Sequence, residues 1–131
     1  MKRVLFVCVE NSNRSQMAEA FAKMHFSNSF DSYSAGSKAS GVINPKAIQA
    51  MKELGYDLHS HSSVAVDHLP DVEFDFVVGM GCGDECPYVP AKQRIEWDIP
   101  DPKHMEPEDF NQIRDLIERR VKELLSANLS N

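Results

Sequence analysis

Apolar residues along the chain fall into two alternating rhythms. Residues 3–7 form a short apolar run rich in Val, Leu and Phe, which suits a strand buried on both faces. From Ser15 to Phe26, the positions Met17, Ala18, Phe21, Ala22 and Met24 make a helical stripe. Ser32 to Ala35 reads as a brief second strand stopped at Gly36. Asn44-Pro45 is an N-cap followed by proline at the first helical position. The helix it opens runs through Ile48, Met51 and Leu54 and ends at Gly55. Phe74 to Val78 predicts a third buried strand and Gln93 to Trp97 a fourth. A last helix, from about Pro107 to Leu125, carries Phe110, Ile113, Leu116, Ile117, Val121 and Leu124 at helical spacing. Strands alternating with helices predict an α/β fold: one three-layer domain over residues 1–131, with a four-stranded parallel sheet flanked by helices on both faces.

Composition narrows the class without changing that picture. The chain has 131 residues, 42% hydrophobic and 26% charged, the balance of a soluble globular protein. Its 14 basic and 20 acidic residues give a net charge of −6, which argues against nonspecific nucleic-acid binding. No apolar run approaches the roughly 18 residues of a membrane helix. The start, Met1-Lys2-Arg3 and then Val4 to Val9, resembles a signal peptide only superficially. Its apolar stretch is short and leads into Glu10-Asn11-Ser12, with no small-residue cleavage site. The expectation is a cytoplasmic monomer, and three cysteines in a reducing cytosol argue against structural disulfides.

Chemistry concentrates in the stretch Cys8-Val9-Glu10-Asn11-Ser12-Asn13-Arg14-Ser15. Ligands of parallel sheets bind at the carboxyl ends of the strands, and Cys8 stands at the end of the first. Five residues between Cys8 and Arg14 can curl so that backbone N–H groups from Glu10 to Ser15 converge on an anion. The helix starting near Ser15 adds unpaired N–H groups and its dipole. Arg14 supplies a planar fork matched to two oxygens of a tetrahedral oxyanion. The same charges favour the thiolate of Cys8, a nucleophile. Ser15 is placed to donate a hydrogen bond to that sulfur. A buried structural Cys beside an ordinary Arg is the bland alternative; placement between strand and helix favours catalysis.

This loop, with Gln16-Met17-Ala18-Glu19 behind it, resembles the low-molecular-weight protein tyrosine phosphatases, and more closely their thiol-dependent arsenate reductase branch. Ser34-Ala35-Gly36, the Asn44-Pro45 helix and the segment Asp98 to Pro102 fit that branch too, so the resemblance spans the chain. Glu10 stands where glycine is frequent, and its side chain is expected to point to solvent. Asn13 replaces a residue that is often cysteine, and is expected to be chemically silent. The resemblance implies that Asp101, followed by Pro102, protonates the leaving oxygen; Asp98 is a rival three residues earlier. It also implies that Asn11, Glu19 and Ser34 brace the loop, where some members bind a potassium ion; a hydrogen-bonded scaffold is the simpler reading here. No tightly bound cofactor is implied.

A phosphatase needs only Cys8, Arg14 and Asp101, yet this chain adds Cys82 and Cys86 just beyond the third strand. The residues themselves allow three readings: zinc ligands, buried structural thiols or a redox pair. No second Cys pair or spaced His pair accompanies them as zinc sites require. The resemblance implies the redox reading. In it, Cys8 attacks arsenate (phosphate and sulfate being analogues), Cys82 attacks Cys8 as arsenite leaves, and Cys86 takes over the disulfide. Thioredoxin, or glutaredoxin with glutathione, then reduces that pair. On a regular helix, residues four apart have Cβ atoms about 5–6 Å apart, whereas a disulfide requires roughly 3.8 Å. The segment is therefore expected to be a loop. The alternative activities are a phosphotyrosine phosphatase and a noncatalytic anion sensor, which would have no use for Asp101. His59, His61 and His68 are expected to be exposed loop residues, and Trp97 to pack at the edge of the loop.

Overall fold

The computed structural model describes residues 1–81 and 88–129. Its four strands are β1 (Lys2–Cys8), β2 (Phe30–Gly36), β3 (Phe74–Gly79) and β4 (Ala91–Glu96), in the order β2-β1-β3-β4. Every pairing is parallel. The helices are α1 (Arg14–Phe26), α2 (Pro45–Lys52) and α3 (Pro107–Ala127), with short 3-10 turns at Leu58–Ser60 and Val66–His68. The four-stranded parallel α/β sheet expected from the alternating pattern is present. Strands β1, β2 and β3 run one or two residues past their expected ends, whereas β4 starts two residues early and stops one short, at Glu96 rather than Trp97; neither 3-10 turn had a periodic signal.

The unbroken apolar run of β1 follows from burial on two faces. Val4, Phe6 and Cys8 join Phe76 and Val78 beneath the helices, against Met17 and Phe21 of α1, Ala47 and Met51 of α2, and Phe110 and Ile117 of α3. Leu5 and Val7 face the other way with Val77, under Val66, Leu69 and Val72 around the second 3-10 turn. Successive strand residues point to opposite faces, so both sets must be apolar. Each fully buried Leu, Phe or Met contributes about 1.5–3 kcal/mol. The sheet is thus covered on both faces. Among the described residues, all three α-helices lie with the first cluster, and the second face has a thinner cover of helical turn and loop. β4 is an edge strand whose Lys92, Gln93 and Arg94 are exposed, a charged border that discourages pairing with other chains.

Parallel pairing aligns the carboxyl ends. Val7 of β1 sits beside Gly79 of β3, which sits beside Glu96 of β4. The loops after β1, β3 and β4 therefore emerge on one edge, where a ligand site of such a sheet belongs. On α2, Asn44 caps the helix by accepting from the Lys46 N–H at 2.9 Å. Helix α2 ends at Lys52, and a turn carries the chain to Gly55, whose N–H donates to the Lys52 carbonyl at 2.9 Å.

Candidate active site

The loop between β1 and α1 is bonded outward along its whole length. The carbonyls of Cys8, Val9, Glu10 and Ser12 accept from the N–H groups of Ser37, Lys38, Ser40 and Asn44 at 2.8–3.2 Å. That of Asn11 accepts from Gln16 Nε2 at 3.1 Å, and that of Asn13 from the Met17 N–H at 3.0 Å. In a trans peptide the next N–H opposes the carbonyl, so outward carbonyls turn the following N–H groups inward. Asn11 makes the curl possible by adopting φ 52°, the left-handed region that asparagine tolerates. Gly36 of β2 lies directly behind it: a Cβ there would stand 2.4 Å from the Val9 carbonyl oxygen and 3.0 Å from the Asn11 nitrogen.

Cys8, 3% exposed, presents its sulfur to two donors. The Asn11 N–H donates to Sγ at 3.2 Å, and Ser15 Oγ lies 2.8 Å away. Asn11 Nδ2 donates to that same Ser15 oxygen at 2.8 Å, which leaves the serine proton for the sulfur. Behind Asn11 the chain of donors continues. Gln16 Nε2 donates to Asn11 Oδ1 at 2.9 Å and to the Ser62 carbonyl at 2.9 Å, so the Gln16 oxygen faces His61. His61 Nδ1 donates to it at 2.9 Å, and His61 Nε2 accepts from the Tyr56 hydroxyl at 2.6 Å. From Tyr56 to Cys8, each link donates toward the sulfur, an arrangement suited to a thiolate.

His61 is therefore not the exposed loop residue its polar surroundings suggested. Its side chain is 3% exposed, because Gln16 and Tyr56 supply partners for both ring nitrogens. Burial pushes the imidazole below its ordinary range, against the raising effect of Glu19 and with the lowering effect of Lys23. His59 and His68 are exposed as expected.

A cleft of about 450 Å³ opens above the loop, lined by Cys8, Arg14, Gly81, Asp98, Asp101 and Lys103 among others. Arg14 begins α1 and is 8% exposed. Its Nη1 donates to the carbonyls of Ile99 at 3.0 Å and Gly81 at 3.3 Å, and its Nη2 lies 3.9 Å from Asp101 Oδ2. The close approach requires glycine at 81, which has φ +83°: a Cβ there would meet Arg14 Nη1 at 2.9 Å. Asp98 and Asp101 both line the cleft, and Asp101 is the one beside Arg14. Trp97 is buried with its ring centroid 6.1 Å from that of Phe6, below the loop that carries both aspartates.

Glu10, Ser12 and Asn13 also line the cleft. Glu10 does not simply point to solvent, as expected for a carboxylate beside an anion site. Its oxygens take the Lys103 ammonium at 3.0 and 3.3 Å, which offsets the charge. Asn13 Oδ1 is buried without a hydrogen-bond partner, a state that costs about 1–3 kcal/mol. Glu19 and Ser34 are joined to each other, Ser34 Oγ donating to Glu19 Oε1 at 2.5 Å. They do not fit a potassium ion. Glu19 Oε2 already holds the Lys23 ammonium at 2.6 Å, and Asn11 Oδ1 accepts from both Gln16 and the Val64 N–H. No group of three or more His, Cys, Asp or Glu among the described residues is arranged to hold a metal.

Cys82 and Cys86 lie outside the described residues. Gly81, immediately before them, lines the cleft. Sequence reasoning missed Gln16, Lys103 and the inward role of His61. Gln16 stood in the quoted motif and Lys103 two residues after Asp101, but neither has a period or spacing that marks it.

The sequence model described as low molecular weight phosphotyrosine protein phosphatase matches residues 3–131. A Halalkalibacterium halodurans protein named arsenate reductase is 40% identical, over 92% of this chain and 93% of its own. A solved structure described as an arsenate reductase in the phosphate binding state superposes with TM-score 0.87 at 33% identity, covering 99% of this chain and 100% of that one. A Corynebacterium glutamicum structure described as a thioredoxin-dependent arsenate reductase gives TM-score 0.77 at 30% identity, over 97% of this chain and 61% of that one.

Proposed function

This chain belongs to the low-molecular-weight phosphotyrosine protein phosphatase family, and on that premise we propose that it reduces arsenate to arsenite. One observation carries the reading: a cysteine sulfur with two hydrogen-bond donors lies in the same small cleft as Arg14 and Asp101. The likeness of nearly the whole chain to proteins described as arsenate reductases supports arsenate as the oxyanion.

In this reading the inward N–H groups from Glu10 to Ser15 and the free edge of Arg14 hold three arsenate oxygens. The Cys8 thiolate attacks arsenic, and the departing oxygen leaves as water with a proton from Asp101. Cys82 thiolate then attacks the Cys8 sulfur. The electron pair of the sulfur–arsenic bond passes to arsenic, so arsenic(V) becomes arsenic(III) and arsenite leaves a Cys8–Cys82 disulfide. Cys86 attacks Cys82 and expels Cys8 as thiolate. The Cys82–Cys86 disulfide is finally reduced by an external dithiol. Thioredoxin is the first choice of reductant, supported by the neighbour described as thioredoxin-dependent, and glutaredoxin with glutathione the second. The position of Gly81 in the cleft supports delivery of Cys82 to Cys8. Residues 1–131 act in this reading as one domain and a cytoplasmic monomer. Among the described residues no helix is long and apolar enough to cross a membrane.

The test is NADPH consumption on adding arsenate to the protein with thioredoxin and thioredoxin reductase. Consumption that is lost in Cys86→Ser supports the three-cysteine relay. Cys8→Ser removes all chemistry. Cys82→Ser abolishes arsenate turnover while leaving phosphate-ester hydrolysis intact; loss of both activities together overturns the relay. A second reading, phosphotyrosine hydrolysis, is favoured by the sufficiency of Cys8, Arg14 and Asp101 for it. It wins if arsenate-dependent consumption is absent with either reductant while a phosphotyrosine substrate is hydrolysed.

A further inference from the structure

Asp101 is half exposed, and little holds it. Its Oδ1 accepts the Lys103 N–H at 3.0 Å, and its Oδ2 stands 3.9 Å from Arg14. A carboxyl group so placed depends on the loop that carries it, residues 98–105. That loop is tied into a closed ring. The Asn44 N–H, at the head of α2, donates to the Ser12 carbonyl of the oxyanion loop at 3.1 Å. Two residues on, Lys46 Nζ donates to the carbonyls of Lys103 and Met105, each at 3.1 Å. Lys103 Nζ then reaches back to Glu10 of the oxyanion loop. The ring runs from one loop to α2, to the other loop, and back.

We propose that Lys103 is a positioning residue for Asp101: its backbone N–H sets the carboxyl group and its ammonium, clasping Glu10, sets the distance between the acid loop and the Cys8 loop. This rests on Asp101 being the proton donor. An ion pair this exposed contributes little to stability, too little to matter to the fold. Placement is far more sensitive, since a misplacement of about 1 Å can cost on the order of 100-fold in rate. Both Glu10 oxygens engage the Lys103 ammonium, which directs its charge to the clasp. The clasp also gives Glu10 a purpose at a position where a bare negative charge would weaken anion binding.

The experiment is a single turnover: fully reduced protein is mixed with arsenate, without external reductant, and the loss of free thiols is followed. Inorganic phosphate affinity and Tm are measured on the same variants. Asp101→Asn is expected to be about 100-fold slower. Lys103→Met is expected to be about 10-fold slower, with phosphate affinity lowered much less than the rate as Glu10 loses its counter-charge, Tm near that of the parent and Lys103→Arg restoring the rate. Glu10→Gln should slow the reaction as Lys103→Met does, and the double variant should be no slower than the slower single one. A parental rate in Lys103→Met alongside a slow Asp101→Asn overturns the clasp and leaves the acid role standing. Phosphate binding weakened as much as the rate also overturns it, by making Lys103 an anion ligand. A parental rate in Asp101→Asn overturns both.

Discussion

Across the cleft, two loops face each other that are held in opposite ways. From Cys8 to Asn13 every carbonyl has a partner in the scaffold, and the sulfur ends a buried chain of donors that starts at Tyr56. From Asp98 to Met105 the hold comes from long side chains: Arg14 on Ile99, Lys46 on two carbonyls, Lys103 on Glu10. The Cys8 side is built into the sheet, whereas the Asp101 side is suspended from it. A thiolate must be kept ready with its donors in place before substrate arrives, which favours a saturated and buried setting. A proton donor must exchange with water between turnovers, which favours an exposed one.

The contrast is broken most severely from behind the rigid loop. Gly36→Ala places a Cβ 2.4 Å from the Val9 carbonyl, and the backbone there cannot yield as a side chain would. We expect a loss of about 1–3 kcal/mol in urea unfolding, together with loss of phosphate binding by calorimetry. Parental phosphate affinity in this variant would show that the loop is less rigid than its hydrogen bonds imply.

Ser15→Ala is gentler, removing one of the two donors to the sulfur. Alkylation of Cys8 at neutral pH should slow about 10-fold, in keeping with a hydrogen bond to a charged acceptor. The fold should be retained with a stability loss of about 1 kcal/mol, because Asn11 Nδ2 loses its buried acceptor. An unchanged alkylation rate would mean that the Asn11 N–H alone sustains the thiolate.

The smallest effect is expected from acid. His61 takes up its proton at lower pH when folded than when unfolded, because its buried ring is held neutral between Gln16 and Tyr56. Below the unfolded value, about 6.5, the unfolded chain therefore binds more protons, and stability falls as pH drops toward the folded value. The urea midpoint should decline from pH 7.5 to 5.5, and His61→Gln should flatten that decline. An equal slope in both proteins would place the acid sensitivity elsewhere.

How much of this was legible beforehand differs between the same two loops. The oxyanion loop declares itself in order along the chain: a strand, Cys8, five residues, Arg14, a helix. Local spacing and helix chemistry suffice to read it. The sheet is equally legible, because burial on two faces leaves unbroken apolar runs such as Val4–Val7. What could not be read were pairings across the fold. Gln16 and His61 are 45 residues apart, and Glu10 and Lys103 are 93. A histidine in a run of serines looks solvated until the fold supplies a partner for each nitrogen. Glu10 likewise looks like a liability until the loop after β4 brings a lysine to it. The cation that answers Glu19 is of the other kind, a local i,i+4 pair with Lys23 one helical turn away.

The donor chain from Tyr56 to Cys8 has a direction, and a direction can be reversed. Every proton along it leans toward the sulfur because the sulfur accepts. In the proposed cycle that sulfur becomes bonded to arsenic or to another sulfur, which would weaken its pull and free the Ser15 hydroxyl to rotate. The imidazole of His61 sits near the far end of the same chain, so under the proposed relay its ring-nitrogen resonances should shift when the Cys8 sulfur is oxidised. A probe there could follow the catalytic cycle without touching the site where the chemistry occurs.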